Sequence, residues 1–163
     1  MNANTLRYSY NYHFFENRKL WDAYITKLSY DQFIQAVNYS HGSVRDQIIH
    51  LISVDDIWFS ELCGVEPSDP LPPTGVDDRI IIRTLCDKVE QGLRDYLVDM
   101  QDEMLFDKPI KESEEDKDLM VWQVLLHVVN QGTDHRAQFL RVLNDLGVKT
   151  TSQDFIFYVH DNL

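Results

Sequence analysis

The chain has 163 residues, of which 44% are hydrophobic and 26% charged, the profile of one folded domain with one sizeable core rather than a disordered tail. Lys and Arg number 15 against 27 Asp and Glu, a formal charge of −12. That balance argues against a nucleic-acid partner, which calls for clustered cations, and against an anionic membrane surface. Two cysteines, Cys63 and Cys86, are too few and too far apart for a disulfide scaffold or a Cys-x-x-Cys motif. The start, MNANTLRYSYNYHFF, shows no apolar stretch ending in a small-residue cleavage site, and no run reaches the roughly 18 apolar residues of a membrane helix. A reducing cytoplasm is the expected location.

Taken in chain order, residues 5–28 place Leu6, Tyr10, Phe14, Leu20, Trp21, Tyr24 and Leu28 mostly at steps of three, four and seven, which predicts a first amphipathic helix. Asp31 opens a short helical piece through Val37, and Ser40-His41-Gly42 breaks it. Ser43 is the expected N-cap of a second long helix that Gly64 ends. Residues 65–75 hold four of the five prolines and read as a loop. Asp77 or Asp78 starts a third helix, with Ile81, Leu85, Val89, Leu93 and Leu97 along one face. Residues 101–117 read as a polar connection whose acidic run, Glu112-Ser113-Glu114-Glu115-Asp116, is a solvated loop. A fourth helix runs from about Asp118 to Leu146, and the aromatic tail Asp154–His160 is expected to dock on the body. Four long helices with moderate loops give an all-α, four-helix-bundle expectation with short extra helices, in one domain over 1–163.

The fourth helix carries the first functional signal. Its apolar stripe, from Trp122 to Leu146, is interrupted by Asn130-Gln131-Gly132-Thr133-Asp134-His135-Arg136, polar nearly all round. Gly132 alone costs on the order of 1 kcal/mol of helix propensity relative to Ala. Two readings are open: a site is being built, or the belt is a buried hydrogen-bond network with a glycine permitting close helix contact. Gln131 and His135 lie one turn apart on the same face. His127 is about 12 Å from His135 along the axis, too far to share one metal ion, and reads as a core or supporting histidine. His50 sits in apolar company on the second helix. Asp134 and Arg136 point about 100° away from His135 and are expected to pair with neighbouring helices. Asn130 is a candidate to support the site. His13, His41 and His160 have no spacing that suggests one, and the cysteines read as buried small hydrophobes.

These segments together resemble the DinB/YfiT-like superfamily of small helical metalloproteins over nearly the whole chain. Tyr12-His13-Phe14-Phe15-Glu16-Asn17-Arg18-Lys19-Leu20-Trp21-Asp22 is similar to the family's Tyr-Asn-x-Trp-Ala-Asn-x-x-Leu opening, with His13 and Phe15 as departures. His50-Leu51-Ile52-Ser53-Val54-Asp55-Asp56-Ile57-Trp58 resembles the helix carrying the first metal histidine. Residues 127–138 match the spacing of Asn-His-x-Thr-x-His-Arg-x-Gln, and Asp154–Tyr158 resembles the usual ending. The resemblance implies a bundle, commonly a homodimer, with a divalent metal (Zn, Ni or Fe) held by His50, residue 131 and His135. Position 131 is Gln131 where the pattern has histidine, a weaker and harder donor for such metals. Gln131 then stands as a weak ligand or as an anchor for bound water. The activity implied is a metal-dependent transferase in which a small-molecule thiol attacks an electrophile, with a hydrolase chemically adjacent; catalytic residues are not identified. The competing expectation is a metal-free helical dimer whose degenerate site serves as a binding or structural module.

Overall fold

The computed structural model describes residues 1–111 and 113–163, and among them the fold is all-α with no strand. Six α-helices follow one another: α1 (Ala3–Lys19), α2 (Tyr30–Ile34), α3 (Val44–Cys63), α4 (Arg79–Asp99), α5 (Val121–Asp145) and α6 (Phe155–Asp161). Asn2 caps α1 by accepting the Thr5 amide. Ser43 caps α3 in a reciprocal pair with Asp46, and Gly64 closes that helix at φ 64°, a conformation glycine adopts without strain. None of the described helices is long and apolar enough to cross a membrane.

The long helices pack pairwise: α3 against α4 and α5, and α1 against α4 and α5. Their shared interior contains Leu6, Tyr10 and Phe14 from α1, Ile48 and Leu51 from α3, Leu93 and Leu97 from α4, and Leu125, Val128, Phe139 and Leu143 from α5. Tyr10 completes its burial by donating its hydroxyl to the Leu125 carbonyl at 3.2 Å. The Pro-rich segment after α3 is tied down by a buried ion pair, Arg45 to Asp78, with Arg45 also donating to the Pro72 carbonyl at 2.8 Å.

Several sequence expectations shift. The first helix ends its α-form at Lys19 and continues through a π-helical turn, Leu20–Tyr24, and a 3-10 turn, Ile25–Lys27. The wider turn carries Leu20, Trp21, Tyr24 and then Ile25 into the interior. On α4 the core face holds Ile82 rather than Ile81, which is exposed, because Ile82 lies two turns before Val89 on the face shared with Leu93 and Leu97. The polar connection is not wholly solvated: Leu105, in a 3-10 turn over Glu103–Phe106, and Ile110 are buried. Glu112 of the acidic run lies outside the described residues. α5 starts at Val121, after a turn in which Ser113 accepts the Asp116 amide, rather than at Asp118. Cys63 is exposed at the last turn of α3, not buried, whereas Cys86 is half-buried and accepts the Trp21 indole N–H at 3.3 Å. The tail docks as expected, Tyr158 buried and its ring 5.6 Å from that of Tyr12.

Candidate metal centre

The polar belt of α5 divides into two faces that meet different helices. On the α1 side, Gly132 is buried because the His13 ring lies against it. A Cβ at that position would sit 2.6 Å from His13 Nδ1 and closer still to Cε1. Of the readings open for this glycine, close helix contact is therefore the one it serves. Arg136 Nη1 donates to His13 Nδ1 at 3.1 Å, so the hydrogen of that imidazole sits on Nε2 and is donated to Asp55 Oδ2 at 2.8 Å. The same guanidinium reaches Asn17 Oδ1 (2.9 Å), Gln153 Oε1 (2.9 Å) and Thr133 Oγ1 (3.1 Å). His13 and Arg136 are fully buried, and burial lowers the Arg136 pKa. Arg136 does reach a neighbouring helix; Asp134 instead accepts from Gln138 on its own helix at 2.8 Å.

The other face turns toward α3. His50 Nε2 and His135 Nε2 are 3.2 Å apart, and Gln131 Nε2 is 3.1 Å from the same His135 nitrogen. Gln131, a turn earlier on α5, thus stands beside His135 as the i,i+4 spacing predicts. A third imidazole, which sequence spacing gave no reason to include, joins them. The His41 ring lies parallel to that of His50 with centroids 3.6 Å apart, and it is 5.6 Å from that of His135. One ligand atom from each of His41, His50 and His135 falls within 4.8 Å of the others. His41 is exposed and the other two are half-buried.

The turn that delivers His41 is unusual. Ser40 has φ 49° and Gly42 has φ 96°, so both neighbours of His41 are left-handed. The Ser40 hydroxyl donates to Gln138 Oε1, fastening the turn to the helix that carries His135. The Ser-x-Gly triplet was legible as a breaker, but its approach to α3 and α5 is a tertiary fact.

The donor set fits a divalent metal. A tetrahedral ion at about 2.0–2.1 Å from its nitrogens holds them about 3.3 Å apart, close to the His50–His135 separation. Burial first, then His41 and His135, pushes the His50 pKa down to about 4, and burial also lowers that of His135. Both imidazoles are therefore unprotonated at neutral pH, the form that ligates. Two buried polar atoms without a hydrogen-bond partner, Gln131 Oε1 and His135 Nδ1, belong to this same group of residues. His127, by contrast, is exposed and meets the Trp58 ring edge-on at 5.3 Å, and Asn130 is exposed; neither is brought into the cluster.

The sequence model of the DinB family matches residues 1–162. No curated protein matches the chain.

Proposed function

This chain belongs to the DinB family, and from that premise we propose that it is a metalloprotein holding one divalent ion between α3 and α5. The arrangement is read as a four-helix bundle of DinB/YfiT-like type, α1, α3, α4 and α5, with α2 and α6 as short additions; the pairwise contacts of those four helices support it. The observation that carries the metal reading is the 3.2 Å separation of His50 Nε2 and His135 Nε2, the edge length of a small tetrahedral ion. Zn, Ni and Fe(II) suit imidazole donors.

A bound ion of this kind supplies a Lewis acid that lets a thiol or water ionise near neutral pH. That chemistry serves a thiol or a water equally, and it is the family resemblance that makes the preferred reading, over a hydrolase, a transferase joining a small-molecule thiol to an electrophile. In it His50 and His135 anchor the ion, and Gln131 lies where it touches whatever stands beside His135 Nε2. The half-buried setting of the two histidines supports a substrate-accessible rather than a closed structural site. We further read the protein as cytoplasmic and as a homodimer. The exposed apolar side chains Val76, Ile80 and Ile81 around the start of α4 and Phe155, Ile156 and Phe157 on α6 support the dimer. A monomeric mass by light scattering would overturn that part.

The metal reading is tested by purifying the protein without an affinity tag, reconstituting it separately with Zn, Ni, Fe(II) and Mn, and measuring metal content. About one equivalent per chain of at least one ion is expected, and less than about 0.1 equivalent of all four overturns it in favour of a metal-free module. The weaker donor at Gln131 is the feature that favours that second reading.

A further inference from the structure

We infer that the third metal ligand of this protein is His41, supplied by the turn before α3, and that Gln131 on α5 is a positioning residue. The inference rests on the metal reading above and concerns which side chains complete it.

Three observations point the same way. First, His41 offers a ring nitrogen within 4.8 Å of the ligand atoms of His50 and His135, so three imidazoles from three segments converge on one place. Imidazole is a better donor than an amide oxygen for Zn, Ni or Fe(II), and the turn restores the three-histidine chemistry that Gln131 removes from α5. Second, the His41 and His50 rings stack at 3.6 Å with an interplanar angle of 20°, so the turn already holds His41 in contact with a helix-borne ligand, and rotation of its exposed ring out of the stack turns a ring nitrogen toward the ion. Third, the turn is built to hold His41 there. Ser40 and Gly42 are both left-handed, an uncommon conformation for serine, and the Ser40 hydroxyl is bonded to Gln138 of the helix that carries His135. Residues held in sparsely populated backbone conformations cluster at ligand clamps.

Gln131 meets His135 through the nitrogen that also faces His50. An amide N–H donated into that lone pair competes with a metal for it. With the amide turned over, Oε1, which has no hydrogen-bond partner, faces His135 instead. In either orientation its part is to orient that nitrogen and whatever occupies the position next to it. The ion then acts as a latch: two ligands sit on rigid helices and one on an exposed turn, so metal loading ties the turn to the helices.

The test is a Co(II) and Zn(II) titration of wild type, His41→Ala, Gln131→Leu and His50→Ala, read by competition with a chromophoric chelator and by the visible spectrum of the cobalt form. His41 is exposed, so its replacement leaves the fold intact, which circular dichroism checks. His41→Ala, which removes a ligand, is expected to lower affinity by more than about 100-fold and to change the cobalt spectrum, and Gln131→Leu, which removes an orienting group, to lower it by about 10-fold with the spectrum kept. Hydrogen exchange gives an independent reading: metal should protect the amides of residues 40–42 in wild type and not in His41→Ala. The inference is overturned if His41→Ala binds as wild type does while His50→Ala does not, or if Gln131→Leu carries the larger loss. If wild type itself binds neither ion, and the reconstitution with Ni, Fe(II) and Mn also fails, the metal reading fails as a whole, a result distinct from either.

Discussion

Helix α5 presents two polar faces to the interior, about 100° apart round the helix, and they differ in how fully their hydrogen bonds are met. Toward α1, Arg136 engages four acceptors, His13 uses both ring nitrogens, and Gln153 returns a bond to the Thr133 carbonyl at 3.1 Å. Toward α3 and the Ser40–Gly42 turn, His135 Nδ1 and Gln131 Oε1 have no partner and three imidazoles crowd together. The first face is a cross-brace; the second has the donor capacity of a site. Burial separates them too: His13 is wholly enclosed, whereas His50 and His135 keep partial access to solvent. A buried histidine whose bonds are complete reads as structure, and a half-buried one beside unmet polar atoms reads as chemistry. Asp55 marks where the brace is incomplete: its Oδ1 has no partner, and the residue lines a cavity of about 30 Å³, roomy enough for water.

If the brace is structural, the largest effect should come from removing its centre. Arg136→Met leaves buried His13 without its Nδ1 partner, frees the half-buried Asn17 and Gln153 acceptors, and takes from the Asp55 carboxylate its nearby cation. We expect a loss of about 3–5 kcal/mol in urea unfolding. A loss under about 1 kcal/mol would dissolve the contrast between the two faces. The opposite face should respond to metal and little to truncation. Wild type at a free Zn(II) concentration 100 times its Kd should gain about 2.7 kcal/mol, and His50→Ala should lose that gain while its metal-free stability changes by under about 1 kcal/mol. A large metal-free loss in His50→Ala would show that this face braces the fold as well.

Gly132→Ala probes the seam between the faces. Alanine is the better helix former by about 1 kcal/mol, so propensity alone predicts stabilisation. The added carbon must instead displace the His13 ring, whose atoms are fixed by Arg136 and Asp55. Overpacking of this kind costs about 1–3 kcal/mol, and we expect a net destabilisation by thermal or urea unfolding. A variant more stable than wild type would mean that the His13 ring yields.

Much of this was legible in the residues, and the exceptions have physical causes. Ser43 and Gly64 marked both ends of α3 because capping is local chemistry. The His50, Gln131 and His135 candidates rested on the i,i+4 rule and on family resemblance, and the helices do bring those three side chains together. His41 was passed over because nothing in its own turn points at α3; only the packing of that turn onto the helices does. His13 was passed over for the mirror reason. Gly132 signalled a close approach, but which ring arrives from α1 depends on the crossing of two helices. The exchange of Ile81 for Ile82 on α4 reflects spacing: Ile82 lies seven residues before Val89, two turns along the face that continues through Leu93 and Leu97, whereas Ile81 falls about 100° to one side. Leu105 and Ile110 were hidden by the charged residues around them.

The smallest expected effect is on pH dependence, and it again separates the faces. In the metal-free protein the His50 pKa lies at about 4, below its ordinary 6.5, chiefly through burial and then through His41 and His135. Between those values the unfolded chain binds more protons than the folded one, so stability is full above about pH 6.5 and falls as pH drops toward 4. His135 shifts in the same direction, also through burial and His41, although Asp134 and Asp55 oppose it. Because His50 is partly open to solvent, its share of the slope is modest, and carboxylates elsewhere add their own acid sensitivity. Comparing wild type with His50→Gln removes that background. Measured without metal at pH 7 and pH 5, wild type should lose more Tm on acidification than His50→Gln. An equal loss in both would mean that protonating this imidazole is as easy in the folded protein as in the unfolded chain, and that the face turned toward α3 is more open to water than its geometry implies.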